Sequence, residues 1–167
     1  MGSVLKRVSG VHWADLRDAT GASAGGIPRL LSRIAYGGED TARAAVEELG
    51  DAVCVLGFVV GEATVAVVPF LVELTGTPRT ACKAELADLL GNICQADQWH
   101  SAAAAASGDK RGVSYRLQRG WEAAARTAVH AGRSVIEGMA SSLRPEEAAA
   151  AERLLQVMDH VVPLPDL

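Results

Sequence analysis

The chain has 167 residues, of which 49% are hydrophobic and 22% are charged, a composition that supports a packed core and excludes a disordered, collagen-like or disulfide-dense protein. The formal net charge of −4 argues against a nucleic-acid-binding protein, because such proteins concentrate Lys and Arg against the phosphate backbone. Length and composition predict one domain that spans residues 1–167.

The spacing of apolar residues predicts about seven helices and no strand. In chain order, the predicted helices lie near residues 11–18, 26–36, 40–56, 63–76, 80–99, 115–141 and 145–160. The runs 53–60 and 65–72 are rich in β-branched residues, but their helical spacing outweighs that propensity. The last helix is expected to begin at Pro145, since proline suits a first turn and the two glutamates after it complement the helix dipole.

A shift of 41 residues superposes two segments of the chain without a gap. Ile27-Pro28 falls on Val68-Pro69, and Leu49-Gly50-Asp51 falls on Leu90-Gly91-Asn92. Each unit is expected to begin with its proline near a helix start, followed by a turn and a longer helix rich in Ala and Leu. The repeat therefore predicts two successive helix–turn–helix units.

The strings Ile-Pro-x-Leu-Leu from Ile27 and Val-Pro-Phe-Leu from Val68 resemble the HEAT repeat, because each precedes a helix of Arg, Ala and Leu that ends in Leu-Gly. The segment 62–71 is similar in particular to short bacterial HEAT-like proteins, and the resemblance covers residues 27–95. It implies an all-α, right-handed HEAT-like array of about seven helices. The third unit is expected to be irregular, because residues 96–113 interrupt the position of the next repeat.

Cysteine and histidine usage predicts neither a metal site nor a cofactor. Cys54, Cys82 and Cys94 are odd in number and lie among apolar or small neighbours without Cys-x-x-Cys spacing, so they are interpreted as buried free thiols of a cytoplasmic protein. The four histidines are scattered along the chain.

The apolar stretch 52–74 is not expected to cross a membrane, because Gly61-Glu62 divides it and Pro69 interrupts its second half.

A polar stripe marks one face of the predicted helix 115–141. Its members are spaced four, four, three and four residues apart, and they are Glu122, Arg126, His130, Arg133 and Glu137. One interpretation is a solvated face that carries ion pairs between neighbouring turns. The other is an anion site in which Arg126, His130 and Arg133 bind a carboxylate, sulfate or phosphate, with Trp121 beside them.

A second polar stripe lies on the predicted helix 80–99. It consists of Glu85, Asp88, Asn92, Gln95 and Trp99, and the preceding unit contributes Glu47 and Asp51 at equivalent positions. If these second helices line a concave surface, Asp51 and Asn92 are neighbours on one ridge. Asp51 is then either solvated or partly desolvated with a raised pKa.

Glu62 either complements a helix dipole or faces a pocket. The tryptophans either fill the core or form the wall of a ligand site.

Two functions follow from these features. The first is an interaction module that binds a protein or peptide on its concave face. The alternative is a small-molecule biosynthetic enzyme of the acid/base elimination or cyclisation type, in which residues 96–118 close a pocket over a small anionic substrate. In that enzyme Asp51 or Glu62 is the general base. The ligand-binding residues are Asn92, Trp99, Trp121, Arg126, His130 and Arg133. The predicted architecture also resembles that of HEAT-like DNA glycosylases, but the negative net charge argues against DNA binding.

Overall fold

The fold is all-helical. The structure is a computed structural model that describes residues 5–97 and 112–161, with only the main chain described for residues 112–115. These residues form seven α-helices: α1 (Ile27–Tyr36), α2 (Glu39–Val53), α3 (Glu62–Thr75), α4 (Lys83–Cys94), α5 (Gly112–Ala131), α6 (Arg133–Ala140) and α7 (Pro145–His160). Across the described ranges β-pairing is limited to two isolated bridges. The all-α prediction is confirmed for this part of the chain.

The helices pack as consecutive hairpins. α1 packs on α2, α3 packs on α4, and α6 packs on α7. Between hairpins, α2 contacts α4, α4 contacts α7 most extensively, and α3 contacts both α5 and α6. The core lies between these helices, and α3 is buried on most of its circumference, including Val67, Leu71 and Leu74. No helix in the described ranges is both long and apolar enough to cross a membrane.

The predicted helix over residues 11–18 is wrong. The chain there forms two single 3-10 turns, Val8–Gly10 and Trp13–Asp15, joined by extended backbone. Trp13 is buried, and its ring lies 5.9 Å from that of Phe70 on α3. Most main-chain hydrogen bonds of this segment close its own short turns, and these turns bury Trp13 against α3 and bond Arg17 to the start of that helix.

The prolines of the two predicted repeat units occupy different positions. Pro28 lies in the first turn of α1, as predicted, whereas Pro69 lies inside α3. The prediction that the second unit begins at its proline is therefore wrong. α3 begins seven residues earlier, where the Thr64 hydroxyl accepts a hydrogen bond from the Gly61 N–H at 3.0 Å and donates one to the Val53 carbonyl at 2.6 Å. These bonds cap the helix upstream of Pro69.

The predicted helix 115–141 is divided at Gly132. A Cβ atom at this position would lie 2.6 Å from Cγ1 of Val72 on α3. Only glycine therefore lets the Val72 side chain come this close to the main chain at position 132. Gly132 leaves the helical conformation, with φ −91° and ψ 9°. The close packing of α3 thus separates α5 from α6.

The three cysteines are free and buried, as predicted. Burial is the main cause that raises the pKa of each thiol from its ordinary value of 9.0 to about 11. In this state they pack as small apolar side chains.

Candidate functional site

The polar stripe of α5 and α6 is only partly solvated. Glu122 is 1% exposed and Arg126 is 7% exposed, so the interpretation of the whole stripe as a solvated face is wrong at these two positions. Nε2 of Gln118 donates to the Val60 carbonyl at 2.9 Å and lies 3.4 Å from Oε2 of Glu122. Nη1 of Arg119 lies 3.6 Å from Oε1 of the same carboxylate. The first half of the stripe is therefore a buried polar cluster.

Arg126 and His130 of the stripe contact separate main-chain acceptors within the protein. Nε of Arg126 donates to the Cys94 carbonyl at 2.9 Å, at the C-terminal end of α4. Nε2 of His130 lies 2.7 Å from the Val161 carbonyl, directly after α7. These contacts attach α5 to α4 and α7, because helix ends leave carbonyl groups without an intrahelical partner.

Arg133 is held by two carboxylates at the protein surface. Its Nη1 lies 2.9 Å from Oδ1 of Asp159 on α7, and its Nε lies 3.2 Å from Oε1 of Glu137. The hydrogen bond with Asp159 raises the pKa of Arg133. An anion bound jointly by Arg126, His130 and Arg133 would have to displace contacts at three different points of the fold.

The other predicted site residues do not converge on one centre. Asp51 is exposed near the end of α2, and Asn92 is exposed on α4, which contacts α2. Glu62 is the first residue of α3 and accepts a hydrogen bond from the Arg17 main-chain N–H at 3.3 Å. Trp121 is half-buried on α5, and Trp99 lies outside the described residues.

The predicted closure of a pocket by residues 96–118 falls mainly on positions 98–111, outside the described residues. The structure has a cavity of about 200 Å³ elsewhere, between the start of α1 and the end of α2. It is lined on one side by Arg29 and Arg33 and on the other by Glu48. Within the described ranges, no three His, Cys, Asp or Glu side chains lie close enough to hold a metal ion.

Charge is distributed unequally between two groups of helices. α2, α4 and α7 together carry eleven acidic and three basic residues. α1, α3, α5 and α6 carry four acidic and six basic residues. We call the exposed surface of α2, α4 and α7 the acidic face. The acidic face was not among the sites predicted from the sequence, although a charge count over each predicted helix indicates it.

Two of the three basic residues on the acidic face are already paired with its acids. Arg153 of α7 approaches both carboxylate oxygens of Asp88 on α4, at 3.2 and 3.3 Å. Arg43 lies 2.8 Å from Glu39, one turn earlier on α2. Five other exposed acids of this face form no ion pair with any described residue, namely Glu47, Glu48, Asp51, Glu146 and Glu152. The face therefore retains unneutralised negative charge on α2 and α7.

No protein-family model matches the chain, and no curated protein or solved structure matches it significantly. The resemblance to HEAT repeats therefore stays a prediction.

Proposed function

We propose that the protein is a noncatalytic interaction module, built as a short right-handed HEAT-like array, that binds a positively charged segment of another protein on its acidic face. The observation that carries this proposal is the segregation of eleven acidic residues, against three basic ones, onto α2, α4 and α7. Complementary charge accelerates encounter and selects partners of opposite sign.

The order of helix contacts supports the array. The second helices of the successive hairpins, α2, α4 and α7, contact one another in chain order. This is the arrangement expected when each helical unit packs only on its neighbours. In a HEAT-like array such second helices form a continuous concave surface, so the concave surface of the proposed array is the acidic face.

The exposed acids without ion pairs define the centre of the proposed site. Glu47 and Asp51 lie one turn apart on α2, and Asn92 lies on the adjoining helix α4. Carboxylates and amides accept hydrogen bonds from Lys and Arg side chains. Asp51 and Asn92 thus act in binding rather than in proton transfer.

The test compares two charge reversals of equal size. Glu47→Lys changes the acidic face, whereas Asp15→Lys changes an exposed aspartate of the N-terminal segment. The probe is a fluorescent peptide rich in Lys and Arg, and its affinity is measured by anisotropy at low and at physiological salt. We expect Glu47→Lys to weaken binding and to reduce its salt dependence, while Asp15→Lys leaves both close to the unsubstituted protein. Equal effects of the two substitutions, or equal affinity for a Glu-rich peptide, would refute the acidic face as the binding site.

A further inference from the structure

The N-terminal strap, residues 5–17, docks along α3 as a chain of short turns. The Leu5 main-chain N–H donates to Oε1 of Glu73 at 2.8 Å near the end of α3. The Arg17 carbonyl accepts from the Ala63 N–H at 3.0 Å near its beginning. The strap therefore runs antiparallel to α3 and is held at one end by the Glu73 side chain and at the other by the Ala63 main chain.

A single aromatic anchor holds the middle of the strap. The Trp13 ring is buried against Phe70, and its Nε1 donates to the Val8 carbonyl within the strap at 2.9 Å. Main-chain hydrogen bonds within the strap close its short turns, whereas Leu5, Trp13 and Arg17 make its contacts with α3. Hydrogen bonds to the main chain of a segment, together with a side chain that anchors it, are means by which proteins recognise separate peptide segments.

A tight hairpin joins the strap to α1. The Asp18 N–H donates to the Ala22 carbonyl at 2.8 Å, and the Ala24 N–H donates to the Leu16 carbonyl at 3.0 Å. Between these bonds, Arg17 and Ser23 form an antiparallel bridge. The three pairs, 16 with 24, 17 with 23 and 18 with 22, are all centred on residue 20. Two copies with opened hairpins could therefore form the same pairs with each other, across a two-fold axis that passes through residue 20 of both copies.

We propose that this hairpin opens and that the α3 groove then binds the strap of a second copy of the chain, which gives a two-fold segment-swapped dimer. Each copy keeps the contacts of Leu5, Trp13 and Arg17, now made to the partner. The main-chain pairs of the hairpin are also kept between copies. The dimer loses the bonds of the closed turn, in which the Gly21 N–H donates to the Asp18 carbonyl and the Asp18 carboxylate accepts from Thr20 and Ala22, and it no longer requires the positive φ of +89° at Gly21.

The turn therefore controls the balance between monomer and dimer. A strap attached to its own groove has a high effective concentration, which favours the closed monomer as long as the turn is unstrained. Gly21 keeps it unstrained, because glycine adopts positive φ without steric cost. The acidic face is separate from the strap, so the dimer and the proposed function can fail independently.

The test is Gly21→Val in the full chain. No atom lies within 4 Å of a Cβ placed at Gly21, so the substitution strains only the backbone of the closed turn. We expect the dissociation constant of the dimer, measured by analytical ultracentrifugation, to fall by about tenfold or more. The matched control is Gly120→Val, which also has open space around its Cβ but lies in α5 without positive φ. It should leave the dissociation constant unchanged.

A second measurement identifies how the dimer forms. In a mixture of isotope-labelled and unlabelled chains, a swapped dimer gives nuclear Overhauser contacts between Trp13 of one copy and Phe70 of the other. Deletion of Thr20 and Gly21 provides a second variant, because the shortened turn cannot close. A dimer whose Trp13–Phe70 contacts are all within one copy would overturn the proposal. So would variants that stay monomeric at every concentration, or that unfold.

Discussion

Arg126 of α5 donates from Nε to the main-chain carbonyl of Cys94 at 2.9 Å, and the two residues lie 32 positions apart in the chain. The bond places a buried guanidinium at the C-terminal end of α4, where its positive charge is favourable to the helix dipole. The same guanidinium is on the α5 face that also presents Glu122, so one side chain joins two helices through a polar contact inside the core.

Arg126→Ala is expected to lower the free energy of unfolding by about 2–4 kcal/mol, because it leaves the Cys94 carbonyl without its donor and removes packed methylene groups. Urea denaturation followed by circular dichroism measures the change. Arg116→Ala, an exposed arginine on the same helix, is the control and should change stability by less than about 0.5 kcal/mol. A loss of the same small size for Arg126→Ala would contradict a structural role for the bond.

Gly132→Ala is expected to destabilise the fold by about 1–3 kcal/mol, because its Cβ would overlap the buried side chain of Val72. The Cβ would lie 2.6 Å from Cγ1 and 2.7 Å from Cγ2 of that valine. Gly138→Ala in α6 is the matched control, with open space around its Cβ, and should be neutral or stabilising by up to about 1 kcal/mol. If the overlap is the cause, Val72→Ala should reduce the additional loss caused by Gly132→Ala. Additive effects of the two substitutions would show that the overlap is not the cause of the loss.

The ion pair between Asp88 and Arg153 is expected to contribute little, although it joins α4 to α7 through two hydrogen-bonding distances. Both side chains are more than half exposed, at 54% and 57%. A double-mutant cycle to alanine should give a coupling energy of about 0.2–1 kcal/mol that decreases with added salt. The same cycle between Asp88 and Arg144, which do not form an ion pair with each other, should give no coupling energy. A salt-independent coupling would show that the pair acts through packing.

Stability is expected to decrease as the pH rises from about 9 to about 11. The pKa of the buried Cys54 and Cys94 thiols is raised by burial from 9.0 to about 11. Between these values the folded chain retains protons that the unfolded chain has lost, so the contribution is full below pH 9 and is lost as the pH passes through the folded pKa. Urea unfolding at pH 8 and pH 10.5 measures this loss of stability. The double variant with alanine at both positions should lose less stability between these pH values, and an unchanged loss would assign the effect to other groups.

Local patterns in the sequence were sufficient for most of the helices. The apolar spacing predicted α1 to α4 and α7 within a few residues, and the proline rule placed Pro28 and Pro145 in first helical turns, as observed. The apolar neighbours of the cysteines predicted their burial. These properties depend on residues within a few turns of one another, which the sequence presents directly.

Tertiary packing decided the features that depend on distant partners. The N-terminal segment forms short turns instead of a helix, and these turns bury Trp13 against Phe70 and bond Arg17 to the start of α3. α5 ends just before Gly132, where the absence of a side chain lets Val72 of α3 approach closely. Helical spacing could align Glu122 and Arg126 on one face, but it could not indicate what covers that face. Whether a polar side chain is solvated or buried depends on the acceptors that the fold brings to it, and for Arg126 that acceptor is a main-chain carbonyl on another helix.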